Sequence, residues 1–102
     1  MDWETAAQGF AVMGSEARLK VLRIIVRAGE KGLSVGDIQE RTQIPPSTLA
    51  HHLRFLSSGG LVHQEKEGRM VRNRADYDHL KKLATFILDE CCQDVPCEGN
   101  KS

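Results

Sequence analysis

The 102-residue sequence predicts a mainly α fold with a small β-hairpin, in the order α-α-α-α-β-β-α. Three observations predict this winged helix-turn-helix. Apolar residues recur at helical spacing in capped stretches on both sides of residues 59–75. Two short helices meet at the break Ile44-Pro45-Pro46. Behind them, two short extended segments are joined at Glu67-Gly68, and a hairpin after such a helix pair is the wing of this fold.

Asp2 is a candidate N-cap, followed by Trp3, Ala6, Ala7, Phe10 and Met13 on one side of a first helix that ends near Gly14. Ser15 caps a second helix to about Ala28, where Gly29 can stop it. Glu16, Lys20, Arg23 and Arg27 line one face of it, while Leu19, Val21, Leu22, Ile24, Ile25 and Val26 fill the others, as in a central core helix. Ser34-Val35-Gly36-Asp37 has the form of a capping box and opens a third helix to about Thr42. Pro46 suits the first position of a fourth, which runs to Ser58 with Leu49, Leu53 and Leu56 inward. Residues 61–66 and 69–75 read as the hairpin strands. Asp76 caps a last helix whose apolar seam is Tyr77, Leu80, Leu83, Ala84, Ile87, Leu88 and Cys91. Residues 1–92 are therefore expected to form one domain, and 93–102, with Pro96 and Gly99, an irregular flexible tail.

Net charge is zero, but it is segregated. Residues 41–75 carry Arg41, Arg54, Lys66, Arg69, Arg72 and Arg74 against Glu65 and Glu67, a net of +4, between flanks of −1 and −3. A basic middle is an electrostatic footprint for a polyanion. At 100° per residue, Ser47, His51, Arg54 and Ser58 lie opposite the leucines of the fourth helix. Hydroxyl, imidazole and guanidinium groups on one face suit base edges and phosphates of the major groove. Thr48 sits at an intermediate angle, for a phosphate contact or the turn. His52 falls at the core boundary, where a packed and hydrogen-bonded imidazole is expected. Arg69, Arg72 and Arg74 share one short ribbon and suit backbone phosphates or the minor groove. These seven residues, Ser47, Thr48, His51, Arg54, Arg69, Arg72 and Arg74, form the candidate interface with double-stranded DNA.

Ser47-Thr48-Leu49-Ala50-His51-His52-Leu53-Arg54-Phe55-Leu56, then Gly59-Gly60-Leu61-Val62 and Glu67-Gly68-Arg69, resemble the ArsR/SmtB family of metal-responsive repressors. Residues 14–22 are similar to that family's second helix, and the likeness covers roughly residues 3–90. It implies a homodimeric repressor of operator DNA whose first and last helices form the subunit interface, in accord with their amphipathic patterns. Two inducer sites of the family are altered here. The third-helix thiols are replaced in Gly32-Leu33-Ser34-Val35-Gly36-Asp37-Ile38, and the last-helix zinc register falls on Asp76, Asp78, Asp89 and Cys92 without a histidine. Those residues read as capping and solubility groups.

All three cysteines, Cys91, Cys92 and Cys97, crowd the C-terminal end, and the first ninety residues contain none. Core packing does not explain such a cluster. On an ideal helix Cys91 and Cys92 are about 100° apart, but fraying or a 3₁₀ turn at the helix end can bring them round. Pro96 and the short link can fold Cys97 back. Thiolates select soft ions, and three sulfurs suit trivalent arsenic or antimony better than zinc, which prefers four ligands. The trio also resembles the arsenite site of family members with a vicinal Cys-Cys and a third cysteine. The expected inducer is As(III) or Sb(III), with no organic cofactor. Thiol-redox or sulfide sensing through a disulfide, other soft metals, and a merely oxidation-sensitive tail remain open alternatives. Where a C-x₅-R oxyanion cradle needs arginine, Cys91 is followed by Cys97 and Cys92 by Glu98, so no enzyme is expected. Met1-Asp2-Trp3-Glu4 lacks a signal-peptide pattern and no apolar run nears membrane-spanning length, so the expected compartment is cytoplasmic, with no membrane partner.

Overall fold

The structure is a computed structural model in which residues 1–95 are described. Each helix begins where a short polar side chain can take an orphan backbone N–H, except one. α1 (Trp3–Val12) starts at Asp2, whose carboxylate accepts the Thr5 N–H at 2.7 Å. α2 (Glu16–Arg27) starts at Ser15, which accepts the Arg18 N–H at 3.3 Å. After a 3₁₀ turn at Gly29–Lys31, a strand β1 (Leu33–Ser34) leads into α3 (Val35–Thr42). Ser34 accepts the Asp37 N–H at 3.0 Å and Asp37 accepts the Ser34 N–H at 3.4 Å, so the capping box is reciprocal. α4 (Pro46–Ser58) has no side-chain cap and opens with Pro46, whose missing N–H needs none. β2 (Val62–Glu67) and β3 (Met70–Ala75) follow, then α5 (Tyr77–Leu88), capped by Asp76 through the His79 N–H at 2.9 Å.

The expected hairpin is one part of a three-stranded antiparallel sheet in the order β1-β3-β2. The added strand is only two residues long, and two residues carry no alternation for a sequence pattern to register. Its pairing depends on β3, with Leu33 opposite Asn73 and Ser34 opposite Arg72. Asn73 is wholly buried. Its Nδ2 donates to the Leu33 carbonyl at 3.2 Å and its Oδ1 accepts from Gln64 at 2.9 Å, so one side chain ties all three strands. The hairpin closes in a two-residue turn, Gly68-Arg69, with Glu67 opposite Met70. Gly68 has φ +63°, which the first turn position requires when the strands twist normally.

Val21, Leu22 and Ile25 of α2 meet Ile38, Leu49, Leu53, Leu56, Leu61, Val62 and Leu83 in one core. Each such side chain contributes about 1.5–3 kcal/mol on burial. The end of α4 is a Schellman motif: the Leu61 N–H donates to the Leu56 carbonyl and the Gly60 N–H to that of Ser57, both at 3.0 Å. Gly60 has φ +80°, so glycine is needed there. The chain then turns directly into β2.

α1 lies between α5 and the end of α4. A Cβ on Gly9 would sit 2.9 Å from Leu83 Cδ1, and Trp3 packs edge-on against Phe86 with ring centroids 5.0 Å apart. At the other end, Val12 rests directly on Gly59, and Gln8 Nε2 donates to the Ser58 carbonyl at 3.1 Å. Tyr77 donates from its hydroxyl to the Val26 carbonyl at 2.9 Å, fastening the start of α5 to α2.

α5 stops at Leu88, so Cys91 does not continue its seam as expected. Cys91 and Cys92 lie in successive turns beyond it, and Cys92 has φ +64°. No helix among the described residues is long and apolar enough to cross a membrane.

Gly59→Ala should lower unfolding free energy by about 1–3 kcal/mol, because the new methyl overlaps Val12 and must push α1 from α4. Urea denaturation checks this, and an unchanged midpoint would contradict so tight a contact.

Candidate nucleic-acid interface and thiol pair

The fourth helix separates as its pattern requires. Leu49, Leu53 and Leu56 are buried, while Ser47, Thr48, His51, Arg54 and Ser58 are exposed. Ser58 donates to the Phe55 carbonyl at 2.8 Å, which leaves Ser47, Thr48, His51 and Arg54 presented to solvent. These side chains supply donors and acceptors with one formal charge, the chemistry of base reading rather than of bulk attraction.

Sequence reasoning missed two residues behind this face. Arg18 points from the buried side of α2, opposite the stripe of Glu16, Lys20, Arg23 and Arg27. Its Nε donates to the Val12 carbonyl at 2.6 Å, and its guanidinium lies 4.7 Å from the ring centre of Phe55. Phe55 in turn meets the His51 ring edge-on, with centroids 4.8 Å apart. The cation–π contact contributes about 0.5–1 kcal/mol at a partly exposed site. A lone arginine on an apolar helix face was the available signal.

His52 is packed at the core boundary as expected, but the expected hydrogen bond is missing at Nδ1, which is buried without a partner among the described residues. Burial lowers its pKa from the usual value, and the neighbouring Arg18 and His51 charges lower it further. Asp76 is also shifted. Burial alone would raise its carboxyl, but hydrogen bonds from the His79 backbone and from His63 at 2.8 Å outweigh that and hold it below the usual range.

The wing is less basic than its formula. Cross-strand register puts Glu65 opposite Arg72 and His63 opposite Arg74, all on one face with Glu67. Arg74 pairs with Glu65 at 2.7 Å. Arg72 pairs with Glu67 at 3.1 Å and donates to the Lys31 carbonyl at 2.8 Å. Such part-exposed pairs add little stability, about 0–1 kcal/mol each, but they turn two of the three wing arginines inward. Arg69, at the turn, has no ion pair among the described residues, and neither does Arg54 of α4. Of the four arginines in the candidate interface, the two outside an ion pair thus sit at the wing tip and on α4. Arg41 and Lys66 of the basic segment are also outside the ion pairs of the described residues.

Beyond α5, the Sγ atoms of Cys91 and Cys92 are 3.3 Å apart, and both residues are exposed. The turns after Leu88 bring together two sulfurs that an ideal helix would separate. Cys97, the third expected ligand, lies outside the described residues, within which no group of three His, Cys, Asp or Glu side chains converges. Trp3, Phe86, Ile87, Asp89, Glu90 and Cys91 line an open cavity of about 390 Å³, so the start of α1 borders the thiols. At the two altered family sites, Ser34 and Asp76 serve as helix caps.

The family described as "Helix-turn-helix domain" matches residues 13–65, the span from α2 into the wing. The structure also matches an ArsR-like transcriptional regulator from Rhodococcus sp. RHA1, with a TM-score of 0.77 and 29% identity over 90% of this chain and 83% of that one. The chain is a winged helix-turn-helix transcriptional regulator of the ArsR family. The transcriptional activator HlyU of Vibrio cholerae is 30% identical over 81 residues, 79% of this chain and 72% of that protein. The arsenical resistance operon repressor of Escherichia coli is 29% identical over 94 residues, 92% of this chain and 75% of that protein. A cadmium resistance transcriptional regulatory protein CadC homolog of Staphylococcus aureus is 31% identical over 77 residues. They make up 76% of this chain, which spans only 62% of that relative's length.

The depressed His52 pKa has a definite sign. The unfolded imidazole takes a proton near pH 6.5 and the folded one resists it, so stability is full above about 6.5 and is lost as pH falls through the folded value. His52→Gln should flatten that part of the stability curve in urea titrations between pH 7 and 5. An unchanged slope would show that His52 is not the group responsible.

Proposed function

We propose that this regulator is an arsenite-responsive repressor, binding operator DNA as a homodimer and released when As(III), or Sb(III), takes Cys91, Cys92 and Cys97. The observation that carries the inducer reading is the sulfur pair beyond α5, 3.3 Å apart. With a metal–thiolate bond of about 2.3 Å, two sulfurs at that spacing subtend about 92° at a shared ion. That is narrower than the tetrahedral angle of about 109° and fits the pyramid of an ion with three bonds and a lone pair. Arsenous acid would exchange three hydroxyls for three thiolates, each thiol proton leaving with a hydroxyl as water. The arsenical repressor of Escherichia coli is a relative over most of this chain, which supports the same ligand class.

Operator binding is assigned to Ser47, Thr48, His51 and Arg54 of α4 in the major groove, with Arg69, Arg72 and Arg74 of the wing on the backbone. Dimerisation is assigned to α1 and α5. Trp3 is 81% exposed in the single chain, and Ile87 and Leu88 are 65% and 64% exposed, on the two helices that already pack together. A second copy would cover them. Two such subunits set paired α4 helices about one turn of DNA apart, on a pseudo-palindromic site. The cysteine turns adjoin this apolar face, so gathering the sulfurs would re-space the reading helices. A coupling of about 1–3 kcal/mol gives a 5–150-fold loss of operator affinity.

A redox reading is favoured by one observation. The Cys91 and Cys92 sulfurs are already in contact, and among the solved relatives is a structure described as reduced HlyU. A disulfide among the three cysteines would then replace the ion, with an oxidant taking two electrons and the two thiol protons.

Two measurements separate these assignments. Arg69→Ala should weaken binding to all DNA sequences and lower the salt slope by about one, whereas Arg72→Ala, already paired to Glu67, should lower it less. Equal slopes for both variants would contradict the inward pairing of Arg72. In anaerobic anisotropy titrations, Cys→Ser at 91, 92 or 97 should leave operator affinity within about 3-fold and blunt release by arsenite. Undiminished release from the triple-serine variant would refute the site, and release by peroxide but not arsenite would install the redox reading.

A further inference from the structure

We propose that Arg18 of α2 is a positioning residue for base reading: it props Phe55, and Phe55 sets the ring of His51. The inference rests on α4 being the DNA face. Its basis is a chain of three contacts. The Arg18 Nε is held by the Val12 carbonyl at 2.6 Å, its guanidinium sits 4.7 Å from the Phe55 centroid, and Phe55 meets His51 at 4.8 Å with rings at 88°.

Each contact limits the next. An exposed histidine on a helix ordinarily samples several rotamers. Here one side of the His51 imidazole is closed by the Phe55 ring, which leaves it fewer rotamers. Phe55 is itself 39% exposed and has no core socket of its own. What holds it is the guanidinium plane behind it. Arginine suits this place because its flat fork stacks on a ring while Nε is spent on a carbonyl, and lysine can do only one of these. His51, Arg54, Phe55 and Ser58 also line a shallow cleft of about 170 Å³, so the phenyl ring shapes the surface that the imidazole edges.

The anchor of the chain matters as much as its tip. Val12 is the last residue of α1, and α1 begins at Trp3 beside Cys91. Arg18 therefore takes its position from the helix that borders the thiols and passes it to the residue that faces DNA. A shift of α1 reaches His51 through side chains as well as through the bodies of the helices.

The test uses the full chain, with an operator obtained by selection from random duplexes. Arg18→Lys keeps the charge and loses the planar stack, and Phe55→Leu keeps apolar volume and loses the ring. In DNA-free protein, the His51 ring-proton resonances of R18K should move toward their values in F55L. R18K should also lose about 5-fold or more in discrimination between the operator and single-base variants, with an unchanged salt slope because the net charge is the same. Thermal melts check that both variants are folded, and if R18K is not, F55L alone decides. Unmoved His51 resonances, or full discrimination in F55L, overturn the positioning role. Moved resonances with His51→Ala as selective as the wild type overturn the use of His51 in base reading, and with it the assigned DNA face.

Discussion

Val12 resting on Gly59 is the contact through which the two halves of the molecule know each other's position. α1 has few residues to spare. Its glycine, Gly9, lets Leu83 of α5 approach on one side, and its last turn meets the glycine that closes α4 on the other. Both contacts are backbone-close, so neither can slide without a steric penalty. The Schellman turn at Gly60 then carries α4 straight into the wing. Reading helix, wing and terminal helix are in this way referenced to one ten-residue rod.

That arrangement explains why a small chain with zero net charge can serve as a DNA-binding regulator. The wing arginines at 72 and 74 pair with Glu67 and Glu65, stiffening a ribbon that β1 and Asn73 also hold from behind. Among the arginines assigned to DNA, the two outside these ion pairs are Arg54 and Arg69. On the proposed DNA face, weak long-range attraction would put more of the binding free energy on groove contacts by Ser47, Thr48 and His51. A rigid frame is what such short side chains require, since each reaches little more than its own turn of helix.

Much of this was legible in the residues. Asp2, Ser15, Ser34 and Asp76 mark four helix starts because a short polar side chain ahead of an apolar period has few other roles. Pro46 and the leucines at 49, 53 and 56 orient α4 just as directly. Three things were not legible. β1 exists only because β3 lies beside it, and no local pattern encodes that. The ion pairs of Arg72 and Arg74 follow from cross-strand register, which turns a count of charges into a set of partners. The end of α5 at Leu88 was hidden because Cys91 continues the apolar spacing past the last helical turn. For the candidate site, the helical period gave the exposure of Ser47, Thr48, His51 and Arg54, while the contacts of Arg18 and Phe55 beside them needed three dimensions.

The same end of α5 carries the functional claim. Turns rather than helix bring Cys91 and Cys92 within 3.3 Å, beside Trp3 of the rod that reaches α4. A ligand gathered there would act on the dimer face and on the reading helix together. X-ray absorption at the arsenic edge, on the arsenite-loaded full chain under reductant, tests this most directly. The account predicts three sulfur neighbours and no nitrogen or oxygen in the first shell, with one sulfur lost in Cys97→Ser. A shell containing oxygen, or one unchanged by that substitution, would contradict it.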